Sequence, residues 1–482
     1  MRLAPILTLF LILQIAECID QPLKEVPASD ILDKIAKGQP VEYDHVIVKG
    51  DLVLDGLGLP IKYIGRTNYE IKVMGLPEYV TLVYSPLTIT DSVIDGDVDL
   101  SNTLFNDTTD FRGSTFNGGD AKFAGCQFSS DADFSGSQFN EYTANFVGIQ
   151  FNSDAMFYAS RFTNTVTFFG SQFNGGAEFG SSQFNDEANF VYTQFNSYAE
   201  FSGSQFNGVT DFDGSQFNDS TYFDGSQFDS YTHFKFSQFN SYTYFDGSQF
   251  NSTADFTGSQ FKDRFIGWDN IRDALTCDEA TYLGLIKNFK EHGQFDDADD
   301  CYYTYRYRNM NTLPDFIGCI SCGFGVRPMY SVYLSIIFIV LFGLVYWMGD
   351  AIYKLSAPAQ EHALSKNKTW SLSIIWGLLV IDIKEIIIWF KYIPKRVLEY
   401  LRTLRPRSIS KMLYDLCHKS FTTSVSLRDA LYFSALVFFT LHPPHDWEYS
   451  EHWRYIILLE DVLGGIFITL FIVTLGNIII RY

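Results

Sequence analysis

Phenylalanine recurs at fixed intervals over the middle third of the chain. From Phe151 to Phe261 one Phe follows every eleven residues, and a second series, from Phe157 to Phe256, lies six residues after the first. The residue two positions before each Phe is almost always small, and the residue between them is usually polar. An α-helix would place the second series on the wrong face, and a regular strand would repeat every two residues. The pattern instead predicts a solenoid in which successive Phe side chains point inward and stack.

The repeated motif, small-polar-Phe-x-x with an extra residue in every second unit, resembles the pentapeptide-repeat family in its Phe-centred variant. The resemblance covers residues 89–261. It implies a mainly β fold, a right-handed quadrilateral β-helix with about 22 residues per coil. Two steps, from Phe116 to Phe123 and from Phe139 to Phe146, are seven residues long. We expect each of them to bulge a corner of the solenoid without ending the stack.

Patterns on either side of the repeat divide the chain into five segments. Arg2 and the apolar stretch after it are typical of a secretory signal peptide, which we place at residues 1–18. Residues 19–104 hold a helix with Ser29 as its N-cap and Gly38 as its stop, followed by the first, aliphatic coils. This helix is expected to cover the N-terminal end of the solenoid. The Phe-centred repeat occupies residues 105–265, an αα-hairpin connector 266–327 and an α-helical membrane domain 328–482.

Two long apolar stretches predict transmembrane helices. Residues 330–348 carry no charge, and the aromatic residues at their ends, Tyr346 among them, are typical of interfacial anchors. Residues 455–480 are also long enough to span, with Glu460 and Asp461 in their first turns. Residues 371–390 are apolar apart from three charged residues, which makes a lipid-facing span costly. Two alternatives stay open for this stretch: an interfacial or bundle-packed segment, or a third span.

Basic residues predict the orientation of the spans. Residues 391–428 contain nine Lys or Arg residues against two acidic ones, so the positive-inside rule places this loop in the cytoplasm. A cleaved signal peptide would send the repeat domain to the other side of the membrane, and the two arguments agree. We therefore expect a cell-membrane protein, in contact with lipid, whose repeat domain is extracytoplasmic and exposed at the cell surface.

The C-terminal region resembles the two-span pore module of ion channels. A helix over 426–440 is too short to span, a loop follows it, and the last span comes next. The matching stretches read DALYFS, FFT, LLEDVLGG and TLGNII. With its repeat and its hairpin, the whole chain resembles archaeal membrane proteins that join pentapeptide repeats to a channel-like end. The resemblance implies a set of channel-loop candidates: Thr440, His442, Pro443, Pro444, His445, Asp446, Glu460 and Asp461.

The loop departs from the potassium-channel pattern. A potassium filter needs the backbone carbonyls of a TVGYG-like sequence, and Pro443 and Pro444 stand in its place here. Potassium selectivity is therefore not implied. A two-span pore also needs several subunits around an axis, so conduction would require a homo-oligomer formed through the membrane domain.

Composition narrows the functional classes further. The formal net charge is −21, and between Phe105 and Phe261 there are 18 acidic residues and four basic ones, which argues against binding of nucleic acid. The sequence has no nucleophile elbow, P-loop, dinucleotide fingerprint or HExxH motif, so we predict no enzyme and no cofactor. Cys319 and Cys322 lie just outside the first span. A disulfide somewhere among these two residues, Cys277 and Cys301 is expected rather than a metal site. The pairing stays open, and Cys319 with Cys322 is one candidate pair.

Two functions of different class stay open after these observations. The first is a membrane-anchored repeat protein whose channel-like domain conducts ions. The alternative is a non-conducting cell-surface scaffold, tethered by its membrane helices, that binds a surface ligand which the sequence does not identify.

Overall fold

Short parallel strands wind through the first of two units. The computed structural model describes residues 23–140, 142–349, 351–354, 425–440, 447–449 and 451–479, and its contacts divide the chain after Asn309. In the first unit, four sheets of ten strands each form the sides of a β-solenoid. All the neighbouring strands within these sheets are parallel except Ile61–Tyr63, which pairs antiparallel with Tyr79–Val83. The mainly β solenoid that the repeat predicts is thus confirmed.

The chain visits the four sheets in the same order in each coil. Sheet 1 contains Val41–Asp44, Leu87–Thr90, Thr109–Asp110, Ala132–Asp133, Ala155–Met156, Ala177–Glu178, Ala199–Glu200, Thr221–Tyr222, Thr243–Tyr244 and Phe265–Ile266. Sheet 2 contains Lys24–Pro27, Val46–Lys49, Val93–Asp95, Thr115–Phe116, Gln138–Phe139, Arg161–Phe162, Gln183–Phe184, Gln205–Phe206, Gln227–Phe228 and Gln249–Phe250. Sheet 3 contains Leu52–Val53, Val98–Asp99, Ala121–Lys122, Ala144–Asn145, Val166–Thr167, Ala188–Asn189, Thr210–Asp211, Thr232–His233, Ala254–Asp255 and Leu275–Thr276. Sheet 4 contains Ile61–Tyr63, Tyr79–Val83, Thr103–Phe105, Gln127–Phe128, Gln150–Phe151, Gln172–Phe173, Gln194–Phe195, Gln216–Phe217, Gln238–Phe239 and Gln260–Phe261.

Stacked Phe rings form the core of the solenoid. In the middle of the stack, the ring centroid of Phe184 lies 5.1 Å from that of Phe162 and 4.6 Å from that of Phe206, and both pairs are stacked. The small residue two positions earlier also points inward. Ser182 is fully buried, and its Oγ donates a 2.5 Å hydrogen bond to the backbone oxygen of Phe157 in the preceding coil. A small hydroxyl therefore fits beside the ring and satisfies a buried carbonyl.

The two seven-residue steps leave the stack continuous, as predicted. Strand pairing runs through both of them, with Phe116 opposite Phe139 and Phe139 opposite Phe162. The extra residues fall in the corner between sheets 2 and 3, where Gly119 and Tyr142 have φ values of 143° and 31°. The corner thus absorbs the added length, because turns tolerate insertions that a paired strand does not.

A helix covers the N-terminal end of the solenoid. Helix α1 spans Ala28–Ala36 and buries Ile31 in the solenoid core. The predicted N-cap is wrong: Pro27 occupies that position, and Ser29 lies inside the helix, which starts earlier so that its first residue is also buried. Gly38 follows the helix with a φ of 65°, the conformation expected of a helix stop.

The sequence pattern does not predict an insertion at residues 55–78, between the strand Leu52–Val53 of sheet 3 and the strand Tyr79–Val83 of sheet 4. The insertion includes the edge strand of sheet 4, Ile61–Tyr63. It contains helix α2, Asn68–Lys72, whose N-terminus is closed by a capping box at Thr67. The insertion lies along one corner of the solenoid: Arg66 donates a 2.8 Å hydrogen bond to the carbonyl oxygen of Gly125, and burial lowers the pKa of this Arg. It therefore packs against coils that are distant from it in sequence.

Three helices lie at the C-terminal end of the solenoid, the first of them before its last strand, Leu275–Thr276. They are α3, Trp268–Ile271, α4, Glu279–Glu291, and α5, Phe295–Arg308. Helices α4 and α5 form the predicted αα-hairpin, and the ring of Phe289 lies 6.0 Å from that of Phe265 in the last coil. The hairpin thus extends the hydrophobic core and covers the C-terminal end of the stack.

The described part of the second unit is mainly helical. It contains α6, Leu313–Cys322, α7, Pro328–Met348, α8, Leu427–Thr440, and α9, Arg454–Ile479, with 3₁₀ turns at Gly323–Gly325 and Glu451–Trp453 and an antiparallel strand pair, Ile352–Lys354 with Trp447–Tyr449. Helices α7 and α9 agree with the two predicted apolar helices and are long and apolar enough to cross a membrane. The expected signal peptide, residues 371–390 and the basic loop up to residue 424 lie outside the described residues.

Candidate functional site

The short helix α8 packs between the two long apolar helices of the second unit. Helices α7 and α9 run antiparallel, and the rings of Phe338 and Phe467 meet 5.4 Å apart near their middles. Helix α8 contacts both of them. Ser426 caps its N-terminus by accepting a 3.2 Å hydrogen bond from the backbone N–H of Asp429. The predicted short helix is thus confirmed as an element of a three-helix bundle.

Two glycines allow this close packing. A Cβ atom added to Gly343 of α7 would lie 2.7 Å from a side-chain carbon of Leu431, and one added to Gly464 of α9 would lie 2.1 Å from the carbonyl oxygen of Phe438. The second contact is with backbone, which cannot turn aside as a side chain can. Small residues at helix interfaces permit such backbone contacts, and here they bring polar groups of all three helices together.

Glu460 lies where the three helices meet. Its side chain is fully buried, and its Oε2 accepts a 2.6 Å hydrogen bond from the hydroxyl of Tyr346 on α7. Its Oε1 is within hydrogen-bond distance of the hydroxyl of Ser434 on α8. Tyr346 and Ser434 are fully buried as well. We call these three side chains the Glu460 network; each polar group in it has a partner, as buried polar groups require.

Counting hydrogens in the Glu460 network indicates its protonation state. The Ser434 hydroxyl has two acceptors in reach, Glu460 Oε1 and, at 2.9 Å, the backbone oxygen of Ile339. A hydroxyl has one hydrogen and cannot donate to both. If Glu460 is protonated, its O–H donates to Ser434, Ser434 donates to Ile339, and Tyr346 donates to the remaining carboxyl oxygen. The geometry therefore fits a neutral carboxylic acid, which also avoids burying an unpaired charge.

The other candidate residues of this region are placed only in part. Asp461, next to Glu460, is half-buried, and its Oδ1 is buried without a hydrogen-bond partner among the described residues. Thr440 is the last residue of α8. The remaining five candidates, His442, Pro443, Pro444, His445 and Asp446, lie outside the described residues. Of the two predicted residues whose side chains the structure describes here, Glu460 has hydrogen-bond partners and the Oδ1 of Asp461 has none.

Neither partner of Glu460 is predicted from the sequence. Tyr346 is expected as an interfacial anchor, and this expectation is wrong, because Tyr346 is fully buried with its ring 5.5 Å from that of Phe433. Ser434 gives no signal, since a lone Ser on an apolar helix is common. The sequence does hold one clue: Gly343 lies one turn before Tyr346, and Gly464 lies one turn after Glu460, so each helix carries a small residue beside its polar one.

The structure contains no disulfide at Cys319 or Cys322, the candidate pair, and none at Cys277 or Cys301. Both residues lie in helix α6, one turn apart, and both side chains are buried. The thiol of Cys322 donates to the carbonyl oxygen of Gly318 at 3.6 Å, a back-bond within the helix. The structure thus corrects the expectation: the pair belongs to the packed face of a helix.

A group on the solenoid has the composition of a metal site. Asp44, His45 and Asp91 are exposed, and one ligand atom of each lies within 4.8 Å of the others. His45 Nδ1 lies 2.8 Å from Asp44 Oδ2, and this hydrogen bond raises the pKa of His45 and lowers that of Asp44. Since the hydroxyl of Thr90 also donates to Asp44 at 2.8 Å, the group is already satisfied as an exposed hydrogen-bonded cluster.

The geometry defines a class of protein: a four-sided Phe-core β-solenoid followed by a helical unit with two apolar helices that could span a membrane. Comparison with known families agrees for the repeat. The family described as pentapeptide repeats matches residues 118–161 and 201–249, in nine copies, so the chain contains pentapeptide repeats. Neither a curated protein nor a solved structure matches the chain significantly.

Proposed function

We propose that this protein is a membrane-anchored scaffold that presents its pentapeptide-repeat solenoid on the outside of the cell as an interaction surface. The observation that carries the proposal is the apolar outer face of the second unit. Large apolar side chains cover the outside of both long helices, among them Val340, Leu341, Leu459, Ile466, Ile472 and Val473. A continuous apolar surface of this kind is unfavourable in water and favourable in a bilayer.

Two features of the sequence support the orientation. The basic loop at 391–428 favours the cytoplasmic side, and the apolar N-terminal stretch is typical of an export signal. The acidic surface of the solenoid suits an exposed position, because like charges keep such a surface soluble and separate from its neighbours. The core of the solenoid consists of stacked Phe rings, and such a core favours a structural or interaction role.

Membrane insertion can be tested with a matched pair of substitutions. Ile466 is 48% exposed at the middle of α9, so Ile466→Arg places a charge on the proposed lipid face without filling the bundle. A central Arg costs about 2.5 to 3.5 kcal/mol on insertion scales, and we expect a large loss of the chain from washed membranes. Val209→Arg is the control, since Val209 is an exposed apolar residue of the solenoid. Equal membrane recovery of both variants would contradict the proposal.

The proposed orientation of the chain in the membrane is tested by protease accessibility. In intact cells, a protease added outside should cut the exposed solenoid or its connector and leave a tag inserted in the basic loop intact. Cleavage of the loop tag with protection of the solenoid would reverse the proposed topology.

Ion conduction is a second candidate function. The observation that favours it is the short helix held between two candidate spans, with Glu460 and Asp461 at the start of the second span. Polar acids inside a span commonly mark ion pathways. The purified full chain in liposomes should then support a cation flux that Asp461→Asn reduces. A strictly monomeric state in the same lipid would exclude a two-span pore, which needs several subunits.

A further inference from the structure

The solenoid carries three copies of an acceptor sequence for N-linked glycosylation. Asn-x-Ser/Thr, with any residue but Pro in the middle, occurs at Asn106, Asn218 and Asn251. A fourth copy, at Asn367, lies outside the described residues. Such sequences are used in exported proteins, where the carboxamide nitrogen receives a sugar chain. The three copies on the solenoid differ in how their carboxamides are held.

Asn106 is the best presented of the three. It lies in the corner between the strands Thr103–Phe105 and Thr109–Asp110, and Asn106, Asp107 and Thr108 are all exposed. Its backbone N–H is bonded to the preceding coil at 2.9 Å, which fixes the corner. Its side-chain amide makes no hydrogen bond to any described residue. The nitrogen that would be modified is therefore exposed and unengaged.

Asn218 lies at the same corner of the solenoid, directly after a strand of sheet 4, in a later coil. We call the row of residues at this corner in successive coils the column. Asn218 belongs to a ladder, a run of Asn side chains in the column that are hydrogen-bonded from coil to coil. Its Nδ2 donates a 2.8 Å hydrogen bond to Asn196 Oδ1, and its Oδ1 accepts one of 2.8 Å from Asn240 Nδ2. Asn251 is held in a similar way by a 2.7 Å hydrogen bond from its Nδ2 to Asp229 Oδ1. In both residues the acceptor nitrogen is committed to the neighbouring coil.

The neighbours in the column explain why Asn106 is different. The strand register places Tyr84 beside Asn106 in the preceding coil and Ser129 beside it in the following one. Neither offers the carboxamide that continues the ladder further along the same corner, where Asn174 donates to Asn152 at 3.0 Å. Asn106 therefore has no Asn beside it in either of the two neighbouring coils.

We propose that Asn106 is an N-glycosylation site of this protein and that Asn218 and Asn251 are not modified. The proposal rests on the proposed function, because it needs the solenoid to be outside the cytoplasm. The sugar donor is a lipid-linked oligosaccharide phosphate, used by a membrane-bound oligosaccharyltransferase. In the reaction, Asn106 Nδ2 forms a bond to the anomeric carbon of the sugar, and the bond from that carbon to the phosphate oxygen breaks. The lipid phosphate leaves with the electron pair of that bond. The amide nitrogen loses one proton to a base of the transferase.

The test begins with the full chain isolated from the membranes of the cells that make it. Mass spectrometry of intact peptides should find a sugar chain on the Asn106 peptide at about tenfold or greater occupancy than on the Asn218 peptide, the ratio expected when one acceptor is held by a hydrogen bond. Asn106→Gln and Thr108→Val should both abolish this modification, whereas Thr108→Ser should retain it. Retention of the sugar in Thr108→Val would overturn the assignment.

Two further variants test the role of the ladder. Ser129→Asn gives Asn106 an Asn neighbour and should lower its occupancy, and Asn196→Ala releases the amide of Asn218 and should raise the occupancy there. Equal modification of Asn106 and Asn218 in the parent chain would overturn the selectivity.

Protease accessibility of the solenoid in intact cells separates the two proposals. If the solenoid is accessible from outside and Asn106 is unmodified, this inference fails and the proposed function stands. If the solenoid is protected and unmodified, both fail.

Discussion

Replacing Glu460 distinguishes a neutral buried acid from a buried charge. Glu460→Ala removes the acceptor of the Tyr346 hydroxyl and leaves it buried without a partner, at a cost of about 1 to 3 kcal/mol. The lost methylene group adds about 0.8 kcal/mol. Ser434 adds little, because it can still donate to the backbone oxygen of Ile339. The expected destabilisation is about 2 to 4 kcal/mol.

Glu460→Gln should behave differently. The amide has the shape of a protonated carboxyl group: its oxygen accepts from Tyr346, and its nitrogen donates to Ser434, which then donates to Ile339. We expect this variant to lie within about 1 kcal/mol of the parent chain. The assay is unfolding of the purified full chain by a denaturing detergent, followed by cleavage of the second unit by protease. If Glu460→Gln is as destabilising as Glu460→Ala, the network holds an ionised carboxylate and the hydrogen count is wrong.

The remaining predictions concern packing and charge. Phe184→Ala should lower the free energy of unfolding of the solenoid by about 3 to 5 kcal/mol, because the ring is buried between two others. The control Phe236→Gly should be neutral or stabilising, since Phe236 is 67% exposed with a φ of 56°. Equal losses in the two variants would refute the stacked core. Gly464→Ala should destabilise the second unit by about 1 to 3 kcal/mol, because the added Cβ meets the carbonyl group of Phe438. The control Gly476→Ala has open space around it and should not destabilise the unit. Equal unfolding midpoints would show that α8 does not need the close contact with Gly464. Burial raises the pKa of Asp213, so the folded chain binds its proton more tightly than the unfolded chain does, and this carboxyl group contributes stability that grows as the pH falls from about 7 towards about 4. In Asp213→Asn the unfolding temperature should therefore gain less, or lose more, over this pH range than in the parent chain, and an unchanged pH profile would contradict the assignment.

The solenoid could be predicted from sequence because its information is local and repeated. One coil differs little from the next, so a Phe such as Phe184 and its small neighbour Ser182 recur with the same environment, and the period alone fixes which side chains point inward. The insertion at residues 55–78 could not be found in this way. It follows no period, and its contacts, such as that from Arg66 to Gly125, join residues from distant coils.

Of the three residues in the Glu460 network, only Glu460 could be predicted from the sequence. Glu460 is visible in the sequence as an acid in an apolar helix, but its partners depend on how three helices pack, and helix patterns do not specify the pairing. The sequence predicts an interfacial position for Tyr346, because aromatic residues at span ends are usually found there. Its burial follows from the approach of α8, which the glycines permit and which is a property of the assembled bundle.

The satisfied state of Glu460 also bears on conduction. A carboxyl group that is fully buried and hydrogen-bonded on both oxygens is a poor candidate for binding a permeating cation, because the cation would have to displace Tyr346 and Ser434. Asp461 differs, since its Oδ1 has no partner among the described residues. If the second unit conducts, Asp461→Asn should therefore reduce cation flux in liposomes while Glu460→Gln leaves it unchanged. The opposite result would place the pathway through the centre of the three-helix bundle, beside Glu460.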